Sequence, residues 1–276
     1  MIARVFAATL LFALPSAAHA QVRVTSLAEH VILLQTPRGN LVASVGPEGA
    51  VLVGAVDTMS AAAIADTLTA RAGSPRRFVI AMAGLASVGQ ADAGWDRRGA
   101  LVTMQEVAVR RMSRVTAPGL RRPRGEFSQF FSLELNGESI HVVRQEPGYA
   151  TSDVLAHFEN SNVVYLGESY PGDGYPRIDS ALGGTVDGLL QTLAPWSQSG
   201  RARFVGARGE LALDADIRAF REMVTAVRDG VRTMKQAGRS VADVIAARPT
   251  AQYDERWGRG VVTAEDFVRD LYRVAR

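Results

Sequence analysis

The sequence predicts an α/β fold in which two αβ halves pack sheet to sheet. Short apolar runs of strand length occur in two separate sets, one within residues 31–82 and one within residues 129–166. Helical periodicity accompanies both sets, and a hydrophobic fraction of 47% in 276 residues is enough for a large buried core. Strands and helices in this order are typical of sheets that are covered by helices on their outer faces.

The first half begins as a β-meander. Its three apolar runs cover residues 31–35, 40–46 and 50–56. The Pro-x-Gly segments between them, residues 37–39 and 47–49, have the composition of turns. Apolar residues at helical spacing over 59–72 predict a helix that packs on this sheet, and residues 77–82 predict a buried strand.

The second half repeats the pattern of strands followed by helices. Its predicted strands cover residues 129–135, 139–144, 153–158 and 162–166. Asn136-Gly137 predicts a hairpin turn between the first two of them. Three helices are predicted in the tail, each beginning with an Asp, Ser or Thr that suits an N-cap, over residues 214–236, 240–247 and 263–274. The Arg-, Pro- and Gly-rich stretch 114–125 is the predicted joint between the halves.

Residues 1–20 have the composition of a secretory signal peptide. Arg4 is their only charge, an apolar run follows it, and Ala18-His19-Ala20 fits a cleavage site of the small-x-small type. The apolar run is shorter than the roughly 20 residues that a membrane span needs, which argues against an anchor. We therefore expect an exported protein, periplasmic or secreted, whose mature chain is a single domain over residues 21–276 without a membrane span.

Composition argues against several classes of protein. The chain has no cysteine, so neither disulfides nor thiolate metal ligands are available. Without Arg4 the chain has 30 basic and 28 acidic residues, which is close to neutral. Nearly all the cations are arginine, and the densest cluster, residues 110–124, is interrupted by Pro and Gly and has no interleaved aromatic residues. A solvated loop is the favoured interpretation of this cluster, and we expect no nucleic-acid partner.

Two segments of the first half resemble the metallo-β-lactamase superfamily. GNLVASVGPEGAVLVG (residues 39–54) is similar to the opening of such proteins, with Gly54 where the family has an Asp. RFVIAMAGLASVGQADAGW (77–95) resembles the strand and loop that bear the His-x-His-x-Asp-His motif. The resemblance places its four functional positions on Ala83, Leu85, Ser87 and Val88, none of which is a zinc ligand.

The second half resembles the same family over more of its length. GYATSDVLAHFENSNVVYLGESYPGDGYPRID (148–179) is similar to the family stretch that begins Gly-His-Thr and ends near Gly-Asp. The ligand histidine becomes Tyr149 and the bridging Asp becomes Glu168. FVGARGELA (204–212) resembles the Pro-Gly-His-Gly element, with Arg208 in place of its histidine. The resemblance covers nearly all of residues 31–276 and implies a four-layer αββα sandwich of the metallo-β-lactamase type.

The same resemblance implies that the dinuclear zinc site is lost. Two zinc ions held by imidazoles and carboxylates activate a water molecule in the ordinary family members. The aligned positions here supply only one carboxylate, Glu168, and no imidazole. The three histidines of the mature chain, His30, His141 and His157, lie away from these positions and are interpreted as structural or surface residues. We therefore expect no metal and no other cofactor.

An ion pair is the expected substitute for part of the metal's charge. A partly buried carboxylate at Glu168 needs a cation or a proton, and Arg208 stands where it would face Glu168 across the pocket. Ser87, Tyr149, Glu168 and Arg208 could also line a cleft for a small anionic ligand. The leading hypothesis is a non-catalytic protein that binds such a ligand or a protein partner. The alternative is a divergent hydrolase acting on an ester, lactone or lactam.

Overall fold

The computed structural model describes residues 22–56, 59–72, 77–80, 95, 98–114, 123–198 and 200–275. Four sequence-based predictions therefore lie wholly or partly outside the described residues. They are the signal peptide over residues 1–20, the end of the strand predicted over 77–82, the functional positions Ala83, Leu85, Ser87 and Val88, and most of the joint over 114–125.

A seven-stranded sheet forms the first half. Its strands follow one another in sequence order: β1 (Arg23–Ser26), β2 (Val31–Thr36), β3 (Gly39–Gly46), β4 (Gly49–Val53), β5 (Arg77–Ile80), β6 (Leu101–Gln105) and β7 (Gly125–Phe127). Strands β1 to β4 are antiparallel and β4 to β7 are parallel. The meander predicted from the Pro-x-Gly turns is confirmed. The sequence did not predict β1, β6 and β7.

A five-stranded sheet forms the second half. In spatial order its strands are β12 (Arg203–Gly206), β11 (Val163–Gly167), β10 (Val154–Phe158), β9 (Glu138–Arg144) and β8 (Phe130–Leu135). Asn136 and Gly137 both have positive φ, 54° and 70°, as the predicted two-residue hairpin turn between β8 and β9 requires. The chain leaves the first sheet after β7 and enters the second at β8, with only Ser128 and Gln129 between them.

Helices cover the outer face of each sheet. The first half contains α1 (Ala61–Arg71), between β4 and β5, and α2 (Glu106–Met112), between β6 and β7. The second half contains α3 (Val186–Leu193), α4 (Asp214–Gln236), α5 (Val241–Ala246), α6 (Asp254–Trp257) and α7 (Ala264–Val274). Ser240 and Thr263 cap α5 and α7 through their side chains, as predicted. Among the described residues, none of these helices is long and apolar enough to cross a membrane.

Three hydrophobic clusters establish the order of the layers. One lies between the sheets and includes Val42 and Val53 of the first sheet with Val142 and Val163 of the second. A second packs α1 on the first sheet. The third packs α3, α4 and α7 on the second sheet. The layers therefore run helix, sheet, sheet, helix, which confirms the predicted αββα sandwich with its helical tail.

Candidate functional site

The candidate site lies at one edge of the second sheet. Glu168 follows β11 directly, and Arg208 comes two residues after β12. Because β11 and β12 are parallel, both residues emerge at the same edge. Strand β10 is antiparallel to β11, so the loop that precedes β10 and contains Tyr149 and Asp153 reaches this edge too. The structure thus brings together three of the sequence-predicted positions, Tyr149, Glu168 and Arg208.

The guanidinium of Arg208 is bonded to two carboxylates. Its Nη1 and Nη2 donate to Oε1 and Oε2 of Glu168, each at 3.2 Å, in the bidentate arrangement that suits a planar fork. Its Nε donates to Oδ1 of Asp173 at 3.4 Å. The ion pair expected from the sequence is therefore present, and Asp173 is a third member that the sequence did not reveal. Partial burial favours a lower pKa for Arg208, but the charges and hydrogen bonds of Glu168 and Asp173 raise it.

Backbone contacts fix the loop that holds Arg208. Its N–H donates to the carbonyl of Pro171 at 3.0 Å. Gly172 has a φ of 86°, and a Cβ there would lie 2.0 Å from the carbonyl oxygen of Arg208, so only glycine allows the two loops to approach this closely. Asn40, buried in β3, donates from Nδ2 to the carbonyls of Gly206 at 3.2 Å and Gly209 at 3.0 Å. Through Asn40, the first sheet thereby stabilises the position of the Arg208 loop.

Asp153 is a buried carboxylate at the same edge. Its oxygens accept from the backbone N–H groups of Gly148 at 3.1 Å, Tyr149 at 2.6 Å and Ala150 at 3.0 Å. Burial raises the pKa of Asp153 to about 7, against the lowering by these three N–H groups, and the charge of Glu168 adds to the rise. The sequence analysis missed this residue, although an Asp that ends a Gly-containing loop before a strand is a recognisable local acceptor.

Tyr149 belongs to the loop that Asp153 organises. Its ring is partly buried, and burial together with the charges of Asp179 and Glu168 raises its pKa. The phenol therefore stays protonated at neutral pH and is a weaker acid than an ordinary tyrosine. Its backbone is fixed on both sides, because its N–H donates to Asp153 and its carbonyl accepts from the N–H of Asp179 at 3.2 Å.

A small cavity lies between the two carboxylates. Its volume is about 50 Å³, and its walls include Arg38, Asn40, Asp153, Tyr165, Glu168 and Ser169. Tyr165 crosses this space and donates from its hydroxyl to the carbonyl of Asn40 at 3.1 Å. Ligand pockets usually exceed about 300 Å³. The part of the site that the described residues enclose has room for water or one small functional group.

Tyr165 also explains the glycine at position 54. Gly54 follows β4 with a φ of 130°, and a Cβ there would lie 3.1 Å from the Tyr165 hydroxyl and 3.2 Å from Cγ of Leu41. A side chain at this position would therefore need a strained backbone, and its Cβ would press on both of these groups.

The described residues do not fit a zinc ion. Both oxygens of Glu168 accept from Arg208, whose guanidinium is a cation with no acceptor atom to offer a metal. Within the described ranges no three His, Asp or Glu side chains converge. The histidines lie elsewhere: His30 is 3.9 Å from Glu29, His141 is bonded to Ser132 and Glu159, and His157 packs edge-on against Trp196.

Solved structures with the same fold are metallo-β-lactamases and alkylsulfatases. A metallo-β-lactamase from Pontibacter korlensis has a TM-score of 0.58 at 13% identity, over 74% of this chain and 99% of its own. One from Hirschia baltica has a TM-score of 0.52 at 15% identity, over 74% and 97%. A stereoselective inverting sec-alkylsulfatase from Pseudomonas sp. has a TM-score of 0.67 at 11% identity, over 91% of this chain and 50% of its own.

This chain thus spans about half the length of the alkylsulfatase. No protein-family model and no curated protein sequence matches it.

Proposed function

We propose, from the premise that this chain has the metallo-β-lactamase fold, that it is an exported, zinc-free pseudoenzyme in which the Glu168–Arg208 ion pair replaces the charge of the metal centre. The observation that carries this proposal is the bidentate contact of Arg208 with Glu168. The resemblance aligns Arg208 with a ligand histidine and Glu168 with the bridging aspartate. Arg208 donates to both carboxylate oxygens of Glu168.

The replacement changes what the site can do chemically. A guanidinium neutralises a carboxylate and donates hydrogen bonds, but it cannot coordinate a water molecule and lower its pKa to near 7 as zinc does. Of the two other polar groups at hand, Tyr149 stays protonated at neutral pH because burial raises its pKa, and both oxygens of Asp153 already accept hydrogen bonds from backbone N–H groups. These properties support binding rather than hydrolysis.

The binding role that we propose is recognition of a protein partner or of a small anionic ligand at this edge. Arg208 is already engaged by Glu168 and Asp173, so an anion would have to compete with two carboxylates for its donors. Arg38 is exposed at the cavity wall and is the cation that an incoming anionic group would meet first. A ligand would therefore dock over the cavity, and only one small group of it would enter.

Elemental analysis tests the proposal most directly. Residues 21–276 are loaded with zinc, desalted and analysed beside a metallo-β-lactamase that has its full ligand set. We expect zinc near zero for this chain and about one or two ions per chain for the control. Zinc retained at the control's level, or turnover of a generic ester, lactone or lactam substrate, would overturn the proposal in favour of a divergent hydrolase.

A further inference from the structure

A second, larger groove lies among the helices of the second half. The N-terminus of α3, the C-terminal part of α4 and the end of α7 border it, and its volume is about 490 Å³. Three arginines line it, Arg228, Arg232 and Arg273, against one carboxylate, Asp187. It has no lining residue in common with the cavity at Glu168. We call it the arginine groove.

The three arginines differ in how far their donors are used. Arg228 donates from Nη1 to Asp187 and from Nε to Asp229, both at 2.9 Å, so its position is fixed. Arg273 makes one contact, from Nη1 to Asp270 at 3.3 Å. Arg232 lies 4.0 Å from Asp229, beyond hydrogen-bond distance, and its buried Nε has no partner among the described residues. Since each guanidinium has five N–H donors, most donors of the three arginines make no hydrogen bond to a described residue.

The other carboxylates nearby offset part of the arginines' charge from outside the groove. Asp229 and Asp270 pair with the arginines but do not line the groove. Lys235 uses its ammonium on the carbonyls of Tyr272 and Ala275 at 2.8 and 2.7 Å. The first turn of α3 follows its N-cap, Thr185, and presents the positive end of the helix dipole to the same space.

We propose that the arginine groove binds a small phosphorylated molecule, with Arg232 and Arg273 as its principal contacts. Planar guanidinium forks match the geometry of phosphate oxygens, and two arginines suit a dianion. A volume of about 490 Å³ also leaves room for an organic group of nucleotide size. Arg228 pairs with residues of α3 and α4 and so stabilises the wall of the groove. Arg232 and Arg273 contact the ligand.

Calorimetry and amide NMR with three probes test this site: inorganic phosphate, pyrophosphate and AMP. We expect saturable binding that shifts the amide signals of residues 183–187.

Two variants test the principal contacts. Arg232→Gln and Arg273→Gln should each weaken the binding about tenfold, the effect of losing roughly 1.4 kcal/mol of interaction. Both side chains are partly exposed, so the variants are expected to fold, and circular dichroism checks this. Tighter AMP than phosphate indicates a phosphorylated metabolite; equal affinity indicates the free anion.

Two control variants make the outcome decisive. Arg259→Gln removes the same charge from a residue that does not line the groove and should leave binding unchanged. Arg208→Ala should leave it unchanged too, which separates this site from the cleft at Glu168. The proposal is overturned if no saturable binding is found up to about 10 mM. This limit is generous, because a millimolar affinity corresponds to only about 4 kcal/mol. Equal weakening by Arg232→Gln and Arg259→Gln, or a loss found only in Arg208→Ala, overturns the proposal too.

Discussion

Two loops at one edge of the second sheet hold a carboxylate in opposite ways. Glu168, in the loop after β11, is partly exposed and is neutralised by a side chain from another loop, that of Arg208. Asp153, in the loop before β10, is 3% exposed and is held by three backbone N–H groups from the five residues before it. The comparison teaches that two carboxylates at one edge can be stabilised differently, one by a side chain distant in sequence and the other by the local backbone.

The largest effect on stability is expected at Asp153, because its carboxylate accepts hydrogen bonds from three backbone N–H groups of the loop before β10. Asp153→Ala leaves three buried N–H groups without an acceptor and should lower the free energy of unfolding by about 3 kcal/mol at pH 5.5. Asp153→Asn keeps one acceptor oxygen and should lose less than half as much. Urea denaturation measures both. Equal losses for the two variants would mean that packing, and not the N–H contacts, is what Asp153 contributes.

The raised pKa of Asp153 predicts a pH dependence of stability. Its carboxyl titrates near 3.8 in the unfolded chain and at about 7 in the folded protein. Between these values the folded state keeps a proton that the unfolded chain has released. Stability should therefore fall as pH rises from about 4 to about 7, by at most about 1.4 kcal/mol per unit. The difference between wild type and Asp153→Asn in urea denaturation across this range isolates the effect; parallel curves would contradict it.

The comparison also shows which parts of the site the sequence could predict. Glu168 and Arg208 were identifiable because each lies in a segment after a strand that resembles a ligand-bearing segment of the metallo-β-lactamase superfamily. Asp153 was missed because its partners are backbone groups, so only its place at the end of a Gly-containing loop before a strand marks it in the sequence. Asp173 joins Arg208 only through the close approach of two loops at Gly172, which a sequence does not show.

The fold was more predictable than the site, for similar reasons. Strands bounded by Pro-x-Gly turns and helices with Ser or Thr caps were found close to their observed ends. The missed strands β1 and β7 are only four and three residues long, too short for alternation to be recognised. Helix α3 was missed although Thr185 caps it, because two glycines precede the cap and one lies within the helix.

A smaller effect is expected at Arg208, because Glu168 and Asp173 are each about one-third exposed and water relieves part of their repulsion. Arg208→Met keeps the length of the side chain, removes the charge and should cost about 1 to 2 kcal/mol in urea denaturation. Arg23→Met is the matched control, since the Arg23–Glu210 pair is exposed on both sides and should contribute about 0.5 kcal/mol or less. Equal losses for Arg208→Met and Arg23→Met would show that the contacts of Arg208 contribute no more than an exposed surface ion pair.

The smallest effect is expected at Tyr165, which lies between the two carboxylates and touches neither loop by hydrogen bond. Tyr165→Phe removes only the bond from its hydroxyl to the carbonyl of Asn40, worth about 1 kcal/mol, and leaves the buried ring in place. Tyr170→Phe is the control, since the Tyr170 ring is equally buried and its hydroxyl is bonded to no described residue. Because Asn40 also holds the Arg208 loop, a loss well above 1 kcal/mol in Tyr165→Phe alone would show that the two loops are coupled through this tyrosine.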